Sequence, residues 1–141
     1  MKILVTGGAG YIGSHTCIEL IKAGYEVVVV DNLCNSSLES LKRVESLVGC
    51  NIPFYKVDVR DKAALTQVFE QYSIDGVIHF AGLKAVGESV EKPIEYYDTN
   101  VSGTFILAAV MRDFNCKTFV FSSSATVYGD PHTVPIKEDF P

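Results

Sequence analysis

Short apolar runs alternate along the chain with segments whose apolar residues recur every three or four positions. Runs such as Ile3-Leu4-Val5 and the four valines at 27–30 are continuous, which is typical of strands covered on both faces of a parallel sheet. The segments between them show the spacing of amphipathic helices. The pattern therefore predicts five strands, over residues 3–5, 26–30, 52–57, 76–80 and 118–121.

Helix start and stop signals flank the segments with helical spacing. Gly24 and Gly49 are plausible stops, Ser36 to Glu39 fit a capping box, Asp61 can cap the next helix, and Pro93 suits a first helical turn. Four helices are predicted between the strands, over residues 11–23, 38–48, 62–72 and 93–114.

This order of elements predicts an α/β fold with a Rossmann-type doubly wound parallel sheet of five strands. Parallel neighbours need crossover connections, which the intervening helices supply. Pro53 has no N–H to donate and therefore suggests that the third strand lies at a sheet edge. With 141 residues, of which 48% are apolar, the chain is expected to form one Rossmann-type domain over residues 1–141.

Charge and composition argue against several kinds of partner and ligand. A net charge of −5 disfavours broad contacts with nucleic acid or an anionic membrane, and no apolar run approaches the length of a membrane span. The four cysteines form no Cys-x-x-Cys pair and have no histidine at metal-ligand spacing. We expect no nucleic-acid partner, no membrane partner, no metal, and a location in the reducing cytoplasm.

Three glycines at residues 7, 10 and 13 join the first strand to the first helix. Gly7 permits a turn that a Cβ would obstruct, Gly10 allows the main chain to approach a pyrophosphate, and Gly13 allows the helix to lie close to the strands. Peptide N–H groups at the helix start would hold the phosphate charge. The spacing Gly-x-x-Gly-x-x-Gly differs from the commoner Gly-x-Gly-x-x-Gly, so the turn needs support from its context.

Asp31 supplies that context, because it ends the second strand eighteen residues after Gly13. A carboxylate at this position can accept hydrogen bonds from an adenosine ribose. It would repel a 2′-phosphate, and no Lys or Arg follows until Lys42. The two features together predict a site for NAD in preference to NADP, the alternative being an ordinary turn beside a solvated strand end.

Polar residues follow the other strands, and the carboxyl ends of parallel strands share one sheet edge. Taken singly, Asp58 suits a loop cap and Lys84 a solvated charge; as a set they suit a cofactor and a polar substrate. His79 lies in an apolar strand and is predicted to be a core or hydrogen-bonded histidine. The serines at 122–124 lack a nucleophile elbow, so a serine that orients a substrate hydroxyl fits them better.

Five segments follow one another along the chain: residues 6–13 (TGGAGYIG), 31–32 (DN), 79–89 (HFAGLKAVGES), 100–104 (NVSGT) and 122–129 (SSSATVYG). Together they resemble the UDP-glucose 4-epimerase family of extended short-chain dehydrogenase/reductases. Residues 79–89 discriminate best, since the glycine turn is shared with sugar-nucleotide dehydratases and reductases. The resemblance covers the whole chain but only the amino-terminal part of that family.

The resemblance implies a cofactor site and a substrate contact. Gly7, Gly10, Tyr11, Ile12 and Gly13 would line the pyrophosphate, Asp31 and Asn32 the adenine ribose, Asn35 and Ser36 the adenosine side, and Asp58 and Val59 the adenine. Phe80, Ala81, Gly82 and Lys84 would follow the pyrophosphate and nicotinamide, with Asn100 nearby. Ser124 would touch the hexose as a substrate-orienting catalytic residue, and Lys84 would also contact the substrate. Thr99 departs from relatives that carry Asn there.

In that family a tyrosine takes the proton of the sugar 4-hydroxyl while hydride passes to NAD, and the 4-keto intermediate turns over before the hydride returns. The tyrosine belongs to a Tyr-x-x-x-Lys helix, whose ammonium favours the phenolate. None of the seven tyrosines here has Lys four residues later. The resemblance thus implies an inactive fragment that lacks the remaining strands and the substrate domain, while the complete protein would bind UDP-hexose and form a homodimer.

Two other functions stay open at this point. One is a stand-alone NAD-binding or sensor module, and the other is a fragment of another sugar-nucleotide dehydratase or decarboxylase. A further expectation concerns the fifth strand, 118–121, which would expose an apolar edge and cause the isolated chain to associate or to be unstable.

Overall fold

The computed structural model describes residues 1–140, without the side chain of Ala125; Pro141, the last residue of the predicted domain, lies outside the described residues. Five strands form one sheet in the order β3-β2-β1-β4-β5, and every neighbouring pair is parallel. The strands are β1 (Lys2–Thr6), β2 (Glu26–Asp31), β3 (Phe54–Lys56), β4 (Gly76–His79) and β5 (Thr118–Phe121).

The strand register brings the carboxyl ends of the three central strands to the same level. Thr6 on β1 lies opposite Val30 on β2 and opposite His79 on β4. The loops that leave these strands therefore meet at one edge of the sheet, next to the point where the strand order reverses between β1 and β4. The predicted Rossmann-type doubly wound α/β fold is confirmed.

Six α-helices connect or follow the strands within the described residues. They are α1 (Tyr11–Lys22), α2 (Leu38–Val48), α3 (Lys62–Gln71), α4 (Val86–Glu91), α5 (Pro93–Tyr97) and α6 (Gly103–Asp113). A π-helical turn over Asp98–Ser102 joins α5 to α6, and a 3-10 turn occupies Ala125–Tyr128. The short helix α4 has no buried residue, which is why no helical pattern pointed to it.

The second helix begins one residue away from the predicted cap. Ser37, not Ser36, is its N-cap, and the Ser37 hydroxyl accepts a hydrogen bond from the N–H of Glu39 at 3.2 Å. The Ser36 hydroxyl donates instead to Asp31 at 2.8 Å. The other local signals are confirmed: Asp61 caps α3, and Gly49 ends α2 with φ +72.

The third strand is shorter than the predicted range 52–57 and lies at the sheet edge as expected. Only residues 54–56 form the ladder, while the carbonyl of Pro53 and the N–H of Val57 make single main-chain bonds to β2. Pro53 has no N–H for a neighbour to accept. Its place on an outermost strand makes that loss harmless.

The predicted helix over 93–114 is interrupted by the π-helical turn. Within this turn the side chain of Asn100 makes two hydrogen bonds to the main chain of Leu83. The main-chain carbonyl of Asn100 accepts a hydrogen bond from the Thr104 hydroxyl at 2.6 Å. Side chains that engage the helix ladder widen it locally, and such turns are frequent at functional sites. Apolar periodicity continues through the turn, so the pattern alone could not reveal it.

Two apolar cores cover the two faces of the sheet. One contains Leu4, Val28, Val30, Leu65, Val68, Phe69, Val77, Leu107 and Val110, and the other contains Val5, Cys17, Val27, Val29, Leu41 and Val44. Consecutive valines of β2 thus point alternately into different cores, which explains why the run is uninterrupted. The helices within residues 1–140 include none that is long and apolar enough to cross a membrane.

Candidate functional site at the carboxyl edge of the sheet

The glycine loop turns sharply between β1 and α1. Gly7 has φ +68 and donates its N–H to the carbonyl of Val30 at 2.8 Å. A Cβ on Gly7 would lie 2.7 Å from the N atom of Ala81, so the loop and the segment after β4 approach each other at van der Waals distance. A side chain at this position would push the two apart.

Gly13 is constrained by the loop itself. A Cβ on Gly13 would collide with the carbonyl oxygen of Gly7 and lie 2.7 Å from the Cα of Gly8. The predicted close approach is therefore real, but it is made to the glycine loop and not to the strands. Gly10 is the N-cap of α1 and offers no side-chain cap, so the first N–H groups of α1 keep their capacity for an anion.

Asp31 ties the end of β2 to the loops on either side of it. Its carboxylate is 7% exposed and accepts hydrogen bonds from the N–H of Ala9 at 3.1 Å, the N–H of Leu33 at 2.9 Å and the hydroxyl of Ser36 at 2.8 Å. A carboxylate has about four acceptor positions. The side chain is thus held rigidly and still has room to accept a ligand hydroxyl.

Asp58 supports the site from behind. The Arg60 guanidinium and main-chain N–H bond its carboxylate at 2.8 to 2.9 Å, and Asn32 donates its amide to the same group at 2.9 Å. The guanidinium holds the pKa of this carboxyl well below its usual range. Asp58 does not line the cavity described below, whereas its neighbours Val57 and Val59 do.

The segment after β4 is fixed by main-chain bonds. Phe80 donates its N–H to the carbonyl of Thr6 at 3.0 Å. Asn100 binds Leu83 twice: its Oδ1 accepts the Leu83 N–H at 2.8 Å, and its Nδ2 donates to the Leu83 carbonyl at 2.9 Å. Asn100 therefore holds the segment and does not itself line the cavity.

These elements enclose one cavity of about 330 Å³. Thirteen of the predicted site residues line it: Gly7, Gly10, Tyr11, Ile12, Gly13, Asp31, Asn32, Asn35, Val59, Phe80, Ala81, Gly82 and Lys84. Four predicted residues are not in the lining: Ser36, Asp58, Asn100 and Ser124. The first three bond to lining residues or their neighbours and so support the cavity.

The lining also includes six residues outside the predicted set: Val30, Cys34, Val57, Leu83, Thr99 and Ser122. Five of them are sequence neighbours of predicted residues. The sixth, Ser122, follows β5 directly and is one of the serines at 122–124 that the sequence offered as candidates, although only Ser124 was assigned to the substrate.

Ser124 lies away from the cavity lining. It caps the 3-10 turn, where its hydroxyl is 2.8 Å from the Thr126 hydroxyl and accepts the Thr126 N–H at 3.3 Å. Its assignment to the hexose remains a prediction. His79, by contrast, is 1% exposed and bonded at both ring nitrogens, which confirms it as a hydrogen-bonded core histidine.

Comparison with known proteins places the site in a family. The family described as GDP-mannose 4,6 dehydratase matches residues 4–141. A UDP-glucose 4-epimerase of Dictyostelium discoideum is 63% identical over 140 residues, and one of Bacillus subtilis (strain 168) is 60% identical over 141 residues. These alignments cover 99% and 100% of this chain but 41% and 42% of the relatives, so the chain spans about two-fifths of their length.

A solved structure shares the fold throughout. The UDP-glucose 4-epimerase from Bifidobacterium longum, in complex with NAD+ and UDP, matches with a TM-score of 0.94 and 56% identity, covering 100% of this chain and 42% of that one. The chain therefore belongs to the GDP-mannose 4,6 dehydratase family, and within it the chain is similar to the amino-terminal part of UDP-glucose 4-epimerases.

Proposed function

We propose that this chain binds NAD in the cavity at the carboxyl edge of the sheet. The proposal rests on one observation: the carboxylate of Asp31 accepts a hydrogen bond from the N–H of Ala9 in the glycine loop, 22 residues earlier in the sequence. Asp31 lines the same cavity as Gly7 and Gly10 of that loop. A phosphate-binding helix start and a ribose-binding carboxylate are the two parts that a dinucleotide site requires.

The residues present fit the three parts of the cofactor. The start of α1 suits the pyrophosphate, since Gly7 and Gly10 leave the main chain uncovered and the helix dipole favours negative charge. Asp31 and Asn32 suit the adenosine ribose, and Val57 and Val59 offer apolar surface to the adenine. The Phe80–Lys84 segment would face the pyrophosphate and the nicotinamide.

Asp31 would also select the cofactor. The negative charge of its carboxylate, which three hydrogen bonds hold in place, would repel a 2′-phosphate. Among the described residues, the cavity wall holds no arginine, and its one lysine, Lys84, follows β4, on the far side of β1 from Asp31. We expect NAD to bind at least tenfold more tightly than NADP.

We further propose that the chain is the NAD-binding portion of a UDP-glucose 4-epimerase, which interconverts UDP-glucose and UDP-galactose. The support is its identity of about 60% to proteins of that name. In such an enzyme NAD supplies reversible hydride acceptance at the sugar C4. Asp31 and the glycine loop would hold the cofactor, and Lys84 would lie beside its reacting half.

Other parts of this proposal depend on residues beyond the cavity. We propose UDP-hexose binding, homodimer formation and a cytoplasmic location for the complete protein. The cysteine pattern of the sequence is the support for the location. Because no tyrosine within the 141 residues has the Tyr-x-x-x-Lys spacing, we expect the chain alone to leave UDP-galactose unchanged.

Isothermal titration of the purified 141-residue chain with NAD and with NADP tests the cofactor proposal. We expect saturable binding of NAD with one site per chain and weaker binding of NADP. Equal or tighter binding of NADP, or no saturable NAD binding by folded chain, would overturn it. Incubation with UDP-galactose in the presence of NAD, followed by chromatography of the products, tests the expected lack of activity.

A further inference from the structure

A continuous path of hydrogen bonds connects two residues of the Phe80–Lys84 segment, Ala81 and Leu83, through side chains of β1, β4 and α6. It begins at the N–H of Ala81, which donates to the Thr6 hydroxyl at 3.4 Å, and the Thr6 oxygen lies 2.6 Å from Nδ1 of His79. On the other side of the ring, Nε2 lies 3.0 Å from the Thr104 hydroxyl. The path thus links β1 to α6 through a single imidazole on β4.

The path then returns to the segment where it started. The Thr104 hydroxyl donates to the carbonyl of Asn100 at 2.6 Å, and the Asn100 side chain holds both the N–H and the carbonyl of Leu83. The two fixed points, Ala81 and Leu83, are two residues apart in sequence. Both belong to the cavity lining.

For a neutral ring, the donors and acceptors of this path can be assigned in only one way. The carbonyl of Asn100 can only accept, so the Thr104 hydroxyl spends its proton there and must accept from His79. Nε2 of His79 therefore carries the ring proton. A neutral ring then has an unprotonated Nδ1, which accepts the proton of the Thr6 hydroxyl and leaves the Thr6 oxygen free to accept from Ala81.

The surroundings of the ring favour the neutral form that this assignment requires. His79 is 1% exposed and lies beside Phe119 and Phe121 of β5, with ring centroids 5.9 and 5.8 Å away. Burial and the positive charge of Lys84 lower the pKa of His79 to about 4. Thr6 and Thr104, its other neighbours, carry no charge.

We propose that His79 is a positioning residue that, as the Nε2–H tautomer, fixes the Phe80–Lys84 segment against the glycine loop for binding of the cofactor. Gly7 and Ala81 lie so close together that a Cβ on Gly7 would be 2.7 Å from the N atom of Ala81, so the glycine loop and the Phe80–Lys84 segment are in direct contact. An imidazole that donates on one side and accepts on the other is the group that joins both ends of the segment. The cofactor part of this inference rests on the proposed function, whereas the tautomer and the fixing of the segment do not.

The tautomer is tested by ¹⁵N-¹H correlation spectra of the histidine rings of the whole chain. We expect a protonated-type shift at Nε2 and an unprotonated-type shift at Nδ1 for His79, unchanged from pH 8 to pH 5. His79→Gln identifies the signals by their loss. A protonated Nδ1, or titration of the ring near pH 6.5, would overturn the assignment.

The fixing of the segment is tested by amide hydrogen exchange at Leu83. Thr104→Val removes the hydroxyl that joins His79 to Asn100, and we expect exchange at Leu83 to become at least tenfold faster. Thr66→Val is the matched control, because Thr66 makes the same bond one turn back, to the carbonyl of Lys62 at 2.8 Å, in α3. Unchanged exchange in Thr104→Val would overturn the proposal.

A pair of substitutions at His79 separates positioning from filling of the core. The amide of His79→Gln can still donate to Thr104, whereas His79→Leu can neither donate nor accept. We expect faster Leu83 exchange and a weaker NAD affinity, by tenfold or more, in His79→Leu, with partial rescue in His79→Gln. Equal behaviour of the two variants would show a packing role only. If the parent chain binds no NAD, the proposed function fails while the exchange results still decide the role of His79.

Discussion

The carboxylate of Asp31 accepts a hydrogen bond from the N–H of Ala9 at 3.1 Å. This bond joins the end of β2 to the glycine loop, so the group that would bind ribose and the loop that would bind phosphate keep a fixed separation. Binding of a dinucleotide then requires little reordering of the protein, so we expect a substitution at Asp31 to weaken that binding.

Replacing Asp31 with Asn is expected to weaken NAD binding roughly 10- to 100-fold, since a hydrogen bond to a charged group contributes about 1.5–3 kcal/mol. The discrimination against NADP should shrink at the same time, because the repulsive charge is gone. Asp75→Asn is the control: Asp75 also accepts a main-chain N–H, from Lys2 at 2.7 Å, but at the opposite edge of the sheet. Titration calorimetry of the three chains checks this, and equal losses in the two variants would contradict it.

Gly7→Ala is expected to lower the free energy of unfolding by about 1–3 kcal/mol and to abolish NAD binding. The new Cβ would lie 2.7 Å from the N atom of Ala81, on a backbone with φ +68. Gly87→Ala in α4 is the control, because a Cβ there meets no atom within 4 Å, and alanine favours a helix by up to about 1 kcal/mol. Urea unfolding of both variants gives the comparison; a loss in Gly87→Ala as large as in Gly7→Ala would refute the steric explanation.

The fold and most of the cavity-lining positions were predictable because their signals are local. The valine run of β2 needs two covered faces, and the three glycines with Asp31 mark a strand, a turn and a helix start in a short stretch of chain. The cap of α3 at Asp61 is equally local. Each strand, turn and cap depends on residues within a few positions of one another, and Asp31, eighteen residues after Gly13, is marked by its place directly after the valine run.

The supporting contacts could not be predicted, because they join residues that are distant in sequence. Asn100 holds Leu83 across 17 residues, and Asn32 meets Asp58 across 26. The cap of α2 was missed for a different reason: the hydroxyl of Ser36 donates to Asp31, five residues earlier at the end of β2, and Ser37 caps the helix instead. A side-chain bond to the end of the preceding strand outweighs the local capping pattern, and only the packed fold reveals that this carboxylate is within reach.

Stability is expected to fall in mild acid because of His79. Its pKa is lowered to about 4 in the folded chain from an ordinary value of 6.5, so the unfolded chain takes up a proton first as the pH falls. The contribution of His79 to the free energy of unfolding should be flat above pH 7 and should decrease by about 2–3 kcal/mol between pH 6.5 and 4.5.

Urea unfolding at a series of pH values checks this decrease. The His79→Gln variant should lack most of this decrease. The difference in the free energy of unfolding between the variant and the parent should therefore narrow as the pH falls. His15→Gln is the control for the loss of a histidine as such, since His15 is exposed on α1. Parallel profiles for the parent and His79→Gln would rule out His79 as the cause.

The edge strand β5 is expected to make the 141-residue chain associate in solution. It is the last strand of the sheet, and Phe119, Val120 and Phe121 are 37%, 53% and 51% exposed. An unpaired apolar edge is a template for pairing with another chain, and lysine on such an edge opposes pairing.

Val120→Lys should therefore shift the chain toward the monomer in sedimentation velocity experiments. Leu47→Lys adds the same charge at a residue of α2 that is 73% exposed, away from this edge, so it separates edge pairing from a general effect of net charge. A monodisperse, cooperatively melting parent chain, or equal effects of the two lysines, would contradict pairing through β5.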